Sequence, residues 1–135
     1  MGLTQPLIYL DSCIIIYLVE EHQLYRSPIE ARLQHSPDSV LAYTALSEME
    51  CLVIPIRNQQ QAVIDKFRNW FQRANYLAIN RSIFEKAAQL RADHPKLKTP
   101  DAIHLAAAQH HGCAEFWAND DRLNSIAARL AVKVI

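Results

Sequence analysis

Asp11 in Tyr9-Leu10-Asp11-Ser12, Glu48 and Glu50 in Leu46-Ser47-Glu48-Met49-Glu50-Cys51, Asp101 in Thr99-Pro100-Asp101-Ala102-Ile103-His104 and Asp120 in Phe116-Trp117-Ala118-Asn119-Asp120 each follow a hydrophobic run or interrupt an apolar helical pattern. A carboxylate in such a setting is expensive to desolvate unless a cation meets it. Gathered by a fold, these acids would form an oxygen-rich site suited to Mg²⁺ or Mn²⁺.

Each acid also has an ordinary structural use. An Asp after a strand, such as Asp11, commonly makes a turn or caps a helix. Asp101, second after a Thr99 cap, would complement the helix dipole by about 0.3–1 kcal/mol. Its helix is nearly all apolar, however, so an acid and His104 three residues apart on one side of it call for an explanation, either as partners or with His104 as a satisfied core histidine. Glu48 and Glu50 compete. At ~100° per residue the apolar stripe of their helix is Leu46, Met49, Leu52, Val53 and Ile56, and both glutamates fall on its flanks. Of the neighbours Asp120 and Asp121, one can serve simply as the cap of the last helix. His22, His35, His94, His110 and His111 show no metal-binding spacing and are expected at the surface. No Ser or Cys has a nucleophile context.

Short strands are expected at Leu7–Leu10, Ser39–Tyr43, Tyr76–Ile79, Glu115–Ala118 and Val132–Ile135. Between them, helices are expected over Cys13–Glu20 (capped by Ser12), from Ser27-Pro28 to about His35, from Thr44 to about Ile54, from Asn58 to about Gln72, from Asn80 or Ser82 to about Ala92, from Thr99-Pro100 to Gly112, and from Asp121 to about Leu130. Apolar strands alternating with helices imply a parallel sheet covered on both faces. Ligands of such sheets bind beyond the carboxyl ends of the strands, where Asp11 and Asp120 should both emerge.

The 135 residues suit one domain, with 50% hydrophobic and 21% charged residues. With two glycines, Gly2 and Gly112, no Gly-rich phosphate loop can be built. The odd, widely spaced Cys13, Cys51 and Cys113 read as buried free thiols. No run is long enough to span a membrane, and Asp11 interrupts the only early apolar stretch, so neither a membrane protein nor a signal peptide is expected, and the cytosol is the expected compartment. Net charge is zero, yet Arg57 to Lys98 holds nine basic residues against three acids, leaving the rest of the chain acidic. That asymmetry suits a metal site acting on a polyanion.

Taken in order, "YLDSCIIIYLVE", "LSEMECLVIPIR", "LKTPDAIHLAAA" and "FWANDDRL" resemble the four motifs of the PIN domain, specifically the VapC-type ribonuclease toxins. The resemblance spans residues 1–135 as a single domain. It selects Glu50 over Glu48 and Asp120, with Asn119 beside it, over Asp121. Ala118 departs from it, since the family commonly has Thr or Ser there. The resemblance implies an α/β/α sandwich with a central, mainly parallel sheet and a metal-dependent endoribonuclease site. Asp11 and Asp101 would be the main Mg²⁺ or Mn²⁺ ligands, and Glu50 and Asp120 would bind directly, through water, or orient the nucleophile, leaving 5′-phosphate and 3′-hydroxyl products. It further implies an RNA substrate, a homodimer and a cognate antitoxin. Rival readings are a non-catalytic PIN-fold interaction module, which should have lost an acid; an aspartyl phosphatase, for which Asp11-Ser12-Cys13 lacks the second Asp; and a DNA-directed nuclease with the same metal site.

Overall fold

The computed structural model describes residues 5–127 and 130–132. In chain order the elements are β1 (Leu7–Leu10), α1 (Ser12–Val19), α2 (Arg26–Gln34), β2 (Val40–Tyr43), α3 (Ala45–Arg57), α4 (Gln61–Arg73), β3 (Asn75–Tyr76), α5 (Arg81–Asp93), α6 (Thr99–His110), β4 (Glu115–Trp117), α7 (Asp121–Ala127) and β5 (Ala131–Val132). The strands form one sheet in the order β3-β2-β1-β4-β5, and every pairing is parallel.

The two-residue period of β1 creates the layers. Ile8 and Leu10 point into a core with Ile14, Ile15, Ile29, Cys51, Phe67 and Phe71, drawn from α1 to α4. Tyr9 points the opposite way, into a core with Ile83, Ala87, Leu105, Ala106 and Leu123 from α5 to α7. Helices on both faces make the three-layer α/β/α sandwich expected of short, wholly apolar parallel strands. The Ala run of α6, Ala106 to Ala108, is fully buried. Small side chains there let the helix lie close to its neighbours.

Chain order reverses at β1, with β2 on one side and β4 on the other. The Asp11 N–H donates to the Trp117 carbonyl (2.9 Å), tying the carboxyl ends of β1 and β4 together. This is the switch point at which open parallel sheets bind ligands.

Several boundaries differ from expectation. Asp11, not Ser12, caps α1: its backbone is extended and its side chain accepts the Ser12 N–H. The second helix begins at Arg26, with Tyr25 before it and no side-chain cap, so Ser27 lies inside. Lys98 precedes α6, which puts Thr99 and Pro100 in its first turn and Asp101 just after them. Asn80, rather than Ser82, caps α5 through Ile83 N–H (3.1 Å). The third strand is only Asn75–Tyr76, although Leu77 N–H still bonds the Tyr43 carbonyl (2.8 Å). Gly112, at φ 67°, follows the end of α6 in the left-handed conformation that favours glycine. The rest of the expected last strand, residues 133–135, and residues 128–129 of the expected last helix lie outside the described residues.

The largest departure is α3. It runs through Pro55 to Arg57, and its buried face is Ser47, Cys51 and Pro55. Of the apolar stripe, Met49 is 56% exposed, Val53 42% and Ile56 53%, while Leu52 is partly buried against the core. Thr44 N–H donates to Ser47 Oγ (3.1 Å), so the polar inner residue is used at the helix start. Apolar periodicity marks a face that wants cover, and here the cover does not come from the chain's own core.

Candidate active site

Asp11 leaves β1 and turns at once into α1. Its carbonyl accepts Ile14 N–H (3.0 Å), its Oδ1 accepts Ser12 N–H (2.8 Å), and the Cys13 thiol lies 3.5 Å from Oδ2. Ser12, one residue on, is buried, and its hydroxyl donates to Glu50 Oε1 (2.6 Å). The same Glu50 oxygen lies 2.5 Å from His104 Nε2, and that nitrogen is 3.6 Å from Asp11 Oδ1. Asp11, Glu50 and His104 thus each present a possible ligand atom, all within 4.8 Å of one another. His104 is wholly buried, and its Nδ1 meets the Tyr9 hydroxyl at 2.5 Å.

Both acids of the opposite wall are less tied. Asp120 is exposed, and its Oδ1 accepts Arg122 N–H (2.9 Å) and Leu123 N–H (3.1 Å), capping α7. Asn119 turns away to donate to the Tyr17 hydroxyl (3.3 Å). Asp101 accepts no hydrogen bond among the described residues. Asp101 and Asp120 line one small cleft, of about 30 Å³, with Lys96, Lys98 and Arg122 at its border.

The two walls differ in charge balance. Burial raises the Asp101 carboxyl above its ordinary value, and the negative charges of Asp11, Asp120 and Glu50 push it further, with His104 only partly opposing them. Burial alone would also raise Glu50, but the hydrogen bonds from His104 and Ser12 and the attraction of His104 outweigh it and hold that carboxyl low. Three carboxylates that act on a fourth, with acceptor lone pairs left over on each, are a donor set that fits a hard divalent cation.

All four acids singled out in the sequence therefore come to the carboxyl edge of the sheet. Glu48 does not; it borders the exposed apolar groove with Met49, Leu52, Val53 and Ile56. His104 hydrogen-bonds Glu50 and lies near Asp11, and it acts on Asp101 only through its charge. Tyr9, Ser12 and Arg122 were not picked out by spacing. A hint of the first two existed in a lone tyrosine amid a buried strand and a serine directly after the acid; Arg122 carried no such sign. Cys51 and Cys113 are buried and Cys13 half-buried, all free. Burial pushes the Cys13 thiol up to about 12 and the Cys113 thiol up to about 11, so neither is a nucleophile.

A family model for the PIN domain matches residues 8–129. The chain belongs to the PIN domain family. Solved structures share the fold. A toxin–antitoxin complex from Klebsiella pneumoniae is 24% identical, with a TM-score of 0.74 over 95% of this chain and 98% of that one. VapBC2 from Rickettsia felis, bound to a promoter DNA fragment, has a TM-score of 0.78 at 11% identity, over 93% of this chain and 97% of that one. Mycobacterium tuberculosis VapC20, described as a sarcin–ricin loop cleaving toxin, has a TM-score of 0.75 at 16% identity, over 93% and 98% of the two chains. No curated protein sequence matches the chain. Among the described residues, no helix is long and apolar enough to cross a membrane.

Proposed function

We propose that this chain is a divalent-metal-dependent endoribonuclease, acting in the cytoplasm as the toxin of a toxin–antitoxin pair. The observation that carries the reading is the gathering of four acids distant in sequence: Glu50 meets the Ser12 hydroxyl beside Asp11, Asp101 and Asp120 line one cleft, and like charge from Asp11, Glu50 and Asp120 reaches Asp101. Asp11 and Asp101 are the principal ligands of Mg²⁺ or Mn²⁺. Glu50 and Asp120 each spend one oxygen on a structural hydrogen bond and keep the other for the ion, for its water, or for orienting the attacking water. The chemistry a divalent ion would supply there is a lowered pKa for a bound water and neutralisation of charge on the scissile phosphate. No side chain is required as a nucleophile.

The flanking phosphates are the task of the border cations. The expected basic stretch divides in space. Arg57 lies in the apolar groove of α3, Lys66 and Arg73 line a separate groove beside Trp70, and Arg91 is spent on the Leu97 carbonyl (2.9 Å). Lys96 and Lys98 lie beside Asp101 and Asp120, joined by Arg122 from outside the stretch. A wider depression of about 490 Å³, which shares Lys96, Leu97 and Arg122, is lined further by Asp93, His94 and Ser125. Lys96 and Arg122 are the cations an RNA strand would meet along it.

The antitoxin reading rests on the likeness to toxins solved with their antitoxins and on the uncovered stripe of α3. Apolar antitoxin side chains would lie on Met49, Val53 and Ile56, while an antitoxin Arg reaches the carboxylates with its planar, multi-donor head and displaces metal. The free toxin is proposed to be a homodimer, which sedimentation of the purified chain tests. For inhibition, Mn²⁺ is titrated against the toxin–antitoxin complex; antitoxin affinity indifferent both to Mn²⁺ and to Asp11→Asn would exclude the Arg mode.

The central experiment incubates purified protein with stem-loop RNAs and with DNA of the same sequence, in Mg²⁺ or Mn²⁺ and in excess EDTA. Cleavage of RNA alone, abolished by EDTA, is expected. Equal cleavage of DNA would move the reading to a DNA-directed nuclease, and activity unchanged by EDTA would overturn the metal mechanism.

A further inference from the structure

Asp11, Glu50 and His104 form by distance alone a three-residue metal site with one imidazole ligand. The placement of protons argues otherwise. Glu50 Oε1 and His104 Nε2 are 2.5 Å apart, a separation that two lone pairs cannot hold without a proton between them. Glu50 Oε1 already accepts the Ser12 hydroxyl (2.6 Å), and a carboxylate oxygen that accepts there is an acceptor toward the ring as well, which puts the proton on Nε2. At the other ring nitrogen stands Tyr9, a buried phenol whose oxygen is also 3.1 Å from Thr44 Oγ1. The chain then runs in one sense: Thr44 hydroxyl to Tyr9 oxygen, Tyr9 hydroxyl to His104 Nδ1, His104 Nε2–H to Glu50. In the charged imidazolium Nε2 carries a proton as well, so neither form offers that nitrogen to a cation.

We propose that His104 is a positioning residue and not a metal ligand: fixed by Tyr9, it donates from Nε2 to Glu50 Oε1 and so holds the Glu50 carboxylate with its other oxygen, Oε2, left for the site. This rests on the carboxylate cluster being the metal site. An ion held there is coordinated by oxygen atoms only, which favours Mg²⁺ and Mn²⁺ over metals that seek imidazole. Outer partners of this kind orient ligands, and their loss commonly costs about 10- to 100-fold in metal affinity or activity.

Two measurements test it, and neither depends on RNA being the substrate. Long-range ¹H–¹⁵N correlation spectra of ¹⁵N-labelled wild-type protein, with the His104 signals assigned against His104→Gln, report which ring nitrogen is protonated. A protonated Nε2, retained when Mg²⁺ is added to saturation, is expected; a bare Nε2 with a protonated Nδ1, in either state, would overturn the proposal. Separately, Mn²⁺ binding is followed by the electron paramagnetic resonance of the free ion. His104→Leu should weaken it about tenfold, while His104→Gln, whose amide can donate to Glu50, should stay within about threefold of wild type. Wild-type binding by His104→Leu would overturn the proposal, as would a Gln variant as poor as Leu. Should the Leu variant fail to fold, the wild-type spectra still decide. A wild-type protein that binds no Mn²⁺ would refute the metal site itself and leave the protonation result standing.

Discussion

The two walls of the site are built on opposite plans. On the wall of Asp11 and Glu50, carboxylate oxygens are held by the Ser12 N–H, the Ser12 hydroxyl and His104, and Tyr9 braces the histidine from within the core. On the wall of Asp101 and Asp120, a single oxygen of Asp120 is tied, in a helix cap, and Asp101 has no donor at all among the described residues. Burial lowers neither carboxyl; the hydrogen bonds make the difference, holding Glu50 down while Asp101 is left raised. The first wall is finished by folding. On the proposed function, the second would be completed by the cation that the acids of both walls would hold. Such a division would let the site keep its geometry and reserve its electrostatic gain for binding.

Breaking the charge on either wall gives the largest effect. Asp11→Asn and Asp101→Asn should each lower kcat/KM for RNA cleavage by about 100-fold or more, roughly 2.7 kcal/mol or more of transition-state stabilisation, with circular dichroism unchanged. Cleavage by Asp101→Asn at the wild-type rate would remove the second wall from the mechanism. Next come Lys98→Ala and Arg122→Ala, which should reduce RNA affinity and flatten the slope of log affinity against log salt by about one unit each. Lys66→Ala and Arg73→Ala, in the other groove, should leave the slope alone; the reverse pattern would place the substrate elsewhere.

The walls should also separate by pH in metal-free protein. Asp101 has a raised value in the fold, so the stabilisation from binding its proton is present below the unfolded value of about 3.9 and is lost as pH rises through the folded value. Asp101→Asn should therefore raise Tm at pH 7, and that gain should shrink to nothing in acid. Glu50 has a lowered value, so its contribution is present above the unfolded value of about 4.3 and is lost as pH falls through the folded value. Glu50→Gln should lower Tm at pH 7, with the deficit closing in acid. Thermal melts from pH 3 to 8 read both, and parallel profiles for the two variants would erase the distinction. The smallest effects belong to the rejected neighbours. Glu48→Gln and Asp121→Asn should cleave within about twofold of wild type, as surface changes ordinarily do.

Much of this is legible in the sequence. Wholly apolar strands alternating with helices announce a parallel sheet because both of its faces must be covered. Asp11 and Asp120 announce themselves because a strand that ends at a carboxylate delivers it to the sheet's carboxyl edge. Element ends were read less well. Asp11 took the capping role assigned to Ser12, since an Asp with an extended backbone accepts the next N–H as readily as a serine would. The wheel of α3 locates an apolar stripe, and the fold leaves Met49, Val53 and Ile56 of it exposed; periodicity alone does not say what covers such a face.

The sequence by itself determined the layer architecture, the family and the four candidate acids, all of which depend on local pattern and order along the chain. The tertiary structure alone decided which partner each acid would have. Glu50 rather than Glu48 meets Ser12, 38 residues away, and His104, 54 residues away. Asp101 is left to face the charges of Asp11, Glu50 and Asp120. The physical reason is range. Periodicity and capping act over a few residues, whereas hydrogen bonding and charge act through space, between groups that only the folded sheet edge brings together.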